Sequence, residues 1–332
     1  MTGNRMPPIA AQQPPARDHG GGIDAAARQY GGARADWIDL STGINPVPYP
    51  LPPLPPAAWT ALPDHAAQTA LTRSARALWS VPEGAAILAA PGASALIARI
   101  PALHPAGTAH IPGPTYNEHA AAFRAHGWQI TEQTTETGAP DPAAQAQVAV
   151  HPNNPTGAWA DPDTLTAPLC IIDESFCDIA PDRSLISQAA RPGCIVIKSF
   201  GKFWGLAGMR LGFAIGDPAL IDRLAGMLGP WPVSGPALHV GQIALSDTAW
   251  AKETRARLAG DAARLDALMT GAGARVQGGT PLFRLYHVGD AHDWQTRLAR
   301  AHIWTRTFSY SRHWLRLGLP APDDWPRIEA AL

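Results

Sequence analysis

KSFGKFWGLAGMRLGF, residues 198–213, follows the apolar, β-branched run Cys194-Ile195-Val196-Ile197. That run reads as a buried strand, so the polar residues after it emerge at the strand's carboxyl end, where α/β proteins place their ligands. Lys202 stands between Ser199 and Gly201 on one side and Phe203, Trp204, Gly205 and Gly208 on the other. Partial desolvation among these residues lowers the pKa of an amine, and an uncharged lysine can form a Schiff base. Arg210 adds a permanent cation and Ser199 a hydroxyl, a set suited to a phosphate held beside an imine. For this segment alone, a surface lysine on a glycine-rich loop remains the competing reading.

Composition bounds the rest. The 332 residues suffice for one large domain and a smaller one, and the formal charge of −1 gives no reason to expect nucleic acid or an anionic membrane as partner. Cys170, Cys177 and Cys194 are odd in number and lack metal-site spacing, so neither a disulfide framework nor a metal site is expected, and a reducing, cytoplasmic setting fits best. The opening MTGNRMPPIAAQQPPARD has no continuous apolar core, and nothing later resembles a membrane span, which reads as a soluble, unprocessed protein with a loose N-terminus.

Working outward from Lys202, several strand ends deliver polar or small residues. Ala86–Ala90 runs into Pro91-Gly92-Ala93-Ser94 and then an apolar helix, a geometry that presents backbone amides to a phosphate. Thr108–Ile111 delivers Tyr116, whose ring could lie against a planar cofactor, with a core tyrosine as the alternative. Val148–Val150 leads to His151-Pro152-Asn153-Asn154-Pro155-Thr156-Gly157, a rigid turn able to aim an amide. Leu169–Ile172 ends in Asp173, a carboxylate that requires a positive partner if buried. Upstream, His19-Gly20-Gly21-Gly22 could approach an anion, or be only a linker. A short helix is expected from Asp24 to Tyr30, a strand at Trp37–Leu40, a proline-rich crossing after Asn45, and a helix from Asp64 to Trp79. Strands alternating with helices over 85–228 predict a mostly parallel sheet. After Pro230-Trp231-Pro232 the pattern changes to two helices, at 235–246 and 250–269, then strands near 275, 282–286 and 314–317 with a helix at 293–301.

Taken together, these motifs resemble the fold type I pyridoxal-phosphate enzymes, the superfamily of the class I and II aminotransferases. The resemblance implies an α/β fold: a large domain with a mostly parallel central sheet over residues 46–235, a small C-terminal α/β domain over 236–332, and an N-terminal arm, 1–45, that joins the small domain and covers the active site. It also implies pyridoxal 5'-phosphate as cofactor. Lys202 would carry it as a Schiff base; Asp173 would pair with the ring nitrogen; Asn154 would donate to the phenolic oxygen; Tyr116 would stack on the ring. Gly92, Ala93, Ser94, Ser199 and Arg210 would hold the phosphate, and Arg316 matches the family's carboxylate-binding arginine.

Within the superfamily the chain is most similar to the threonine-phosphate decarboxylases of cobalamin biosynthesis, relatives of histidinol-phosphate aminotransferases. HGG at 19–21, STGINP at 41–46, LPD at 62–64, PGAS at 91–94, GPTYNEHAA at 113–121, HPNNPTG at 151–157, DESF at 173–176 and SFGKFWGLAGMRLGF at 199–213 carry that similarity. Two departures from the aminotransferase pattern point the same way: Phe176 stands where a tyrosine is usual, and Leu62-Pro63 replaces a Tyr-Pro that reaches the neighbouring subunit. The resemblance implies decarboxylation of L-threonine O-3-phosphate to (R)-1-amino-2-propanol O-phosphate, with Lys202 reprotonating Cα, in a cytoplasmic homodimer. For the substrate's phosphate, His19, Gly20, Asn45, Arg306 and Arg316 are the candidates, and surface pairing is the alternative for Arg306. An aminotransferase acting on a phosphorylated or aromatic amino acid would use the same residues. A non-catalytic, regulator-type domain is disfavoured, because Lys202 is present and the N-terminus is not basic.

Overall fold

The computed structural model describes residues 19–131 and 143–332. The opening eighteen residues, expected as a loose arm, lie outside that set. Thirteen strands are described in chain order: β1 (Ile38–Asp39), β2 (Ala86–Ala90), β3 (Thr108–His110), β4 (Gln129–Thr131), β5 (Ala146–Val150), β6 (Leu169–Asp173), β7 (Cys194–Ser199), β8 (Gly212–Gly216), β9 (Arg275–Thr280), β10 (Phe283–His287), β11 (Ile303–Trp304), β12 (Arg306–Phe308) and β13 (Ser311–Gly318).

Strands β2 to β8 form one seven-stranded sheet in the order β2-β8-β7-β6-β5-β3-β4. Every pair from β7 to β4 is parallel, while β8 runs antiparallel to both its neighbours. The reason for the exception is local. Residues 200–211 carry no crossover helix, so the chain leaving β7 must return beside it in the opposite sense. β6, β7 and β8 are buried almost throughout, as the apolar runs require. Asp173 ends β6 opposite Ile197 of β7, and Ser199 ends β7 two residues further on, so both emerge at the same carboxyl edge of the sheet with Lys202 just beyond.

A second sheet, β12-β13-β10-β9, is antiparallel, and β1 pairs in parallel with β11, tying the segment before the proline-rich crossing to the C-terminal part of the chain. Five α-helices among the described residues open on side-chain caps: Asp64, Asp217, Ser234, Asp247 and Asp290 accept from first-turn amides, starting His65–Leu78, Pro218–Leu228, Gly235–Ala244, Thr248–Gly271 and Ala291–Arg300. The short β4, β11 and β12 escaped the reading of the sequence, because two- or three-residue strands carry no alternation to detect, and the closing helix Trp325–Ala331 was also not anticipated.

The aromatic residues beside Lys202 belong to the core. Phe203 and Trp204 are fully buried, and Trp204 stacks between Phe200 at 5.5 Å and Trp250 at 5.2 Å. They anchor the loop from beneath, leaving Phe176 as the ring near the lysine amine, 5.7 Å from Nζ.

Candidate active site

A cavity of about 690 Å³ opens at the carboxyl ends of β2, β5, β6 and β7 and is closed from the other side by β12 and β13. It brings together Ala93, Ser94, Tyr116, Asn154, Asp173, Ser199, Lys202, Arg210, His19, Gly20, Arg306 and Arg316. Two of the expected residues stand outside its lining. Gly92 lies behind Arg210: its φ is +86°, and a Cβ there would come within 2.5 Å of Arg210 Nη2, so the turn closes on the guanidinium only without a side chain. Asn45 is the correction. It is buried at 2 % exposure, with Nδ2 donating to the Phe203 carbonyl and Oδ1 accepting from Val47 and Arg257. The structure does not bring it to the cavity, because the Gly43 turn before it places Thr42 and Gly43 at the wall and turns Asn45 beneath the Lys202 loop. A Cβ on Gly43 would collide with Phe176 and Phe283 at 2.9 Å, which is why glycine serves in that motif.

Asp173 is 2 % exposed. Its Oδ2 lies 2.8 Å from His119 Nε2, and its Oδ1 accepts from the Ser175 hydroxyl at 2.5 Å and the Ser175 amide at 2.9 Å. Burial alone would raise its pKa, but His119 and Ser175 hold it below the usual carboxylate range. His119 carried no assigned role in the sequence. The available signal was its place three residues after Tyr116, on the same face of the helix Asn117–Ala125 that opens there.

Lys202 is partly buried, and desolvation, helped by Arg316 and Arg210 and opposed by Asp173, lowers its pKa to about 8. Tyr116, desolvated and facing Asp173 and Glu118, is pushed up to about 12, although Ser94 and Arg210 pull the other way. Arg316, 5 % exposed, donates to Asn154 Oδ1 and to the Ser41 carbonyl, and its guanidinium lies 5.1 Å from the Phe283 ring centre. Asn153, beside Asn154, ties the turn together by donating to the Pro114 carbonyl and the Thr156 hydroxyl. His19 Nε2 sits 3.0 Å from Glu118 at the cavity mouth.

Arg306 on β12 and Arg316 on β13 are direct cross-strand partners. Opposed residues of an antiparallel pair share one face, so the two guanidinium groups concentrate positive charge on that wall of the cavity. With Lys202 and Arg210 they give the cavity four lysine and arginine side chains against the carboxylates of Asp173 and Glu118.

Beneath the site lies a second buried charge network. Lys198 Nζ pairs with Glu174 at 2.5 Å and Asp178 at 3.6 Å, and Asp178 also accepts from the indoles of Trp79 and Trp204. Burial would depress the Lys198 amine, but Glu174 and Asp178 override it and raise its pKa. His151, Glu174 and Cys177 come close enough to suggest a metal, yet their donors are engaged: His151 Nδ1 accepts from Ala160, its Nε2 faces the Arg183 carbonyl, and Glu174 holds Lys198.

The model of the aminotransferase class I and II family matches residues 35–328. A threonine-phosphate decarboxylase of Sinorhizobium sp is 42% identical over 321 residues, covering 92% of this chain and 93% of that protein. One from Pseudomonas aeruginosa is 39% identical over 329 residues, covering 95% and 97%. Among solved structures, a histidinol-phosphate aminotransferase from Sinorhizobium meliloti in complex with pyridoxal-5'-phosphate superposes with a TM-score of 0.77 at 18% identity, covering 94% of this chain and 93% of that one, a likeness of fold.

Proposed function

The chain belongs to the aminotransferase class I and II family, and on that premise we propose that it is a pyridoxal-phosphate-dependent decarboxylase, converting L-threonine O-3-phosphate to (R)-1-amino-2-propanol O-phosphate and CO2. The two decarboxylase relatives at 42% and 39% identity support the reaction. The observation in this chain that carries it is the opposed Arg306–Arg316 pair facing the same cavity as Lys202, a concentration of positive charge suited to a substrate bearing both a carboxylate and a phosphate.

The residues fit the cofactor. Glycine at 92 and 212 leaves the β2 turn in direct contact with Arg210 and β8, since a Cβ on Gly212 would stand 2.4 Å from the Ala93 amide nitrogen. That cradle, with Ser94, Ser199 and Arg210, would hold the cofactor's phosphate. Asp173, kept ionised by His119 and Ser175, would hold a proton on the ring nitrogen; Tyr116 would cover the ring; Asn154, already oriented by Arg316, would meet its phenolic oxygen. Bound there, the cofactor supplies an electron sink for the pair released when the carboxylate leaves.

Lys202, with a pKa of about 8, is matched to taking up and returning a proton near neutrality, and it delivers that proton to Cα of the product. Arg316 orients the substrate's carboxylate, and Arg306 with His19 receives its phosphate. Residues 46–235 would serve as the cofactor-binding domain, 236–332 as the small domain, and the described part of the N-terminal segment, 19–45, as a cover, since His19, Gly20, Thr42 and Gly43 line the cavity.

The exposed apolar side chains Leu51, Trp59, Leu62 and Trp231 suit burial against a second copy, in line with a homodimer. Three buried free cysteines suit a reducing cytoplasm, and no helix among the described residues is long and apolar enough to cross a membrane. A role in cobalamin biosynthesis follows from the proposed product. The test incubates purified protein with pyridoxal phosphate and L-threonine O-3-phosphate and follows CO2 together with keto acid. CO2 without keto acid is expected; keto acid without CO2 replaces the proposal with an aminotransferase.

A further inference from the structure

The main chain around Lys202 is held at three successive carbonyls. Asn45 donates its backbone N–H to the Lys202 carbonyl at 3.0 Å and its side-chain Nδ2 to the Phe203 carbonyl at 2.8 Å, and the Tyr49 N–H takes the Trp204 carbonyl at 2.9 Å. Contact between the two segments is tight: a Cβ on Gly205, whose φ is +70°, would stand 2.6 Å from Pro48 Cα and 2.9 Å from the Asn45 carbonyl oxygen. Asn45 itself is oriented from behind. Its Oδ1 accepts from Arg257 Nη2 at 2.6 Å, and Arg257, on the helix Thr248–Gly271, is fixed in turn by Asp261 at 3.0 Å.

An amide is suited to this place because it accepts on one atom and donates on the other. The guanidinium and the Val47 amide claim Oδ1, which leaves Nδ2 pointing at the loop carbonyl. A lysine amine moves with its own main chain, so whatever fixes the Lys202 carbonyl also fixes where that amine can reach.

We propose that Asn45, braced by Arg257, is a positioning residue that sets the place of the Lys202 amine in the cavity and couples it to the long helix Thr248–Gly271. This rests on the reading of Lys202 as the cofactor-binding lysine. It also reassigns Asn45 from substrate contact to support of the reacting group.

The test compares Asn45→Ala, Arg257→Met and Arg257→Lys with the parent protein in three measurements: the pH dependence of covalent pyridoxal-phosphate capture by cofactor-free protein, kcat and KM for L-threonine O-3-phosphate, and thermal unfolding. Misplacing a reacting group lowers kcat and leaves KM nearly alone, so Asn45→Ala and Arg257→Met should lose ~10- to 100-fold in kcat with KM changed less than ~3-fold. The capture midpoint should move in both, and Arg257→Lys should restore much of kcat. A raised KM at unchanged kcat would return Asn45 to the substrate. Parental kcat and capture midpoint with only a lower melting temperature would reduce the clamp to a structural contact. Should Asn45→Ala fail to fold, Arg257→Met, on a partly exposed helix position, decides by the same readouts. Lys202→Ala separates the two levels. If it still captures the cofactor covalently, the reading of Lys202 fails; if it captures none while the Asn45 and Arg257 variants match the parent, only the clamp fails.

Discussion

The pKa of Lys202 offers the sharpest test, because its causes have opposite signs. Burial lowers it first, Arg316 and Arg210 add to that, and Asp173 opposes them, for a value of about 8. At pH 7 about one amine in ten is then uncharged, against roughly one in 2,500 for an ordinary lysine near 10.4, so Lys202 should capture an aldehyde ~200-fold faster than a surface lysine. The assay is the rate of imine absorbance when pyridoxal phosphate is added to cofactor-free protein across pH 6–10, expected to rise through about pH 8 and level off. Arg316→Met removes a lowering influence, so the midpoint should move up and capture at pH 7 should slow. Asp173→Asn removes the raising one, so the midpoint should move down. The same depression bears on stability: below pH 8 the folded, cofactor-free protein holds this amine at a cost of about 3 kcal/mol, which disappears as pH rises towards 10.4. Lys202→Met should therefore be the more stable protein at pH 7 and lose that advantage in alkali. A midpoint near 10, or both substitutions moving it the same way, would refute this account of the site.

His119→Phe should leave Asp173 buried without its main support, so the carboxylate's pKa rises and the acid limb of the activity profile moves to higher pH; an unmoved limb would deny His119 that part. Gly212→Ala drives a Cβ to 2.4 Å from the Ala93 backbone nitrogen, and overpacking of that kind should destabilise by about 1–3 kcal/mol and weaken cofactor binding, measurable by urea melts and cofactor titration, with parental values of both counting against a rigid cradle. Lys198→Met strands Glu174 and Asp178 in the core, and loss of one partner of a buried network should cost about 3–5 kcal/mol, far more than Lys252→Met on the helix surface; equal urea midpoints for the two variants would contradict the network.

The cavity's charge pattern links these tests to the reaction. Arg210 stands beside the β2 turn and Arg306 and Arg316 on the opposite wall, the places where the proposed cofactor and substrate anions would lie. The carboxylate of Asp173 is kept ionised from behind by groups the ligand does not need. Lys202 lies between these opposing fields, which gives it a proton affinity suited to neutral pH.

The sequence by itself determined the elements whose signals are local. An apolar run ending in Asp173, another ending at Ser199 before Lys202, and glycine or proline turns at 91–94 and 151–157 each follow from a few consecutive residues, and together they pointed to a candidate site at one edge of a mostly parallel sheet. Tertiary structure alone decided which residues meet across long separations. His119 finds Asp173 54 residues away, Arg257 reaches Asn45 from 212 residues away, and three-residue β12 sets Arg306 opposite Arg316. Those pairings depend on strand register, helix packing and the absence of a crossover after β7, all products of the core as a whole, and no short window of sequence encodes them. Asn45 shows the difference most directly: its motif was visible, but the direction of its amide is set by a guanidinium that only the folded chain brings to it.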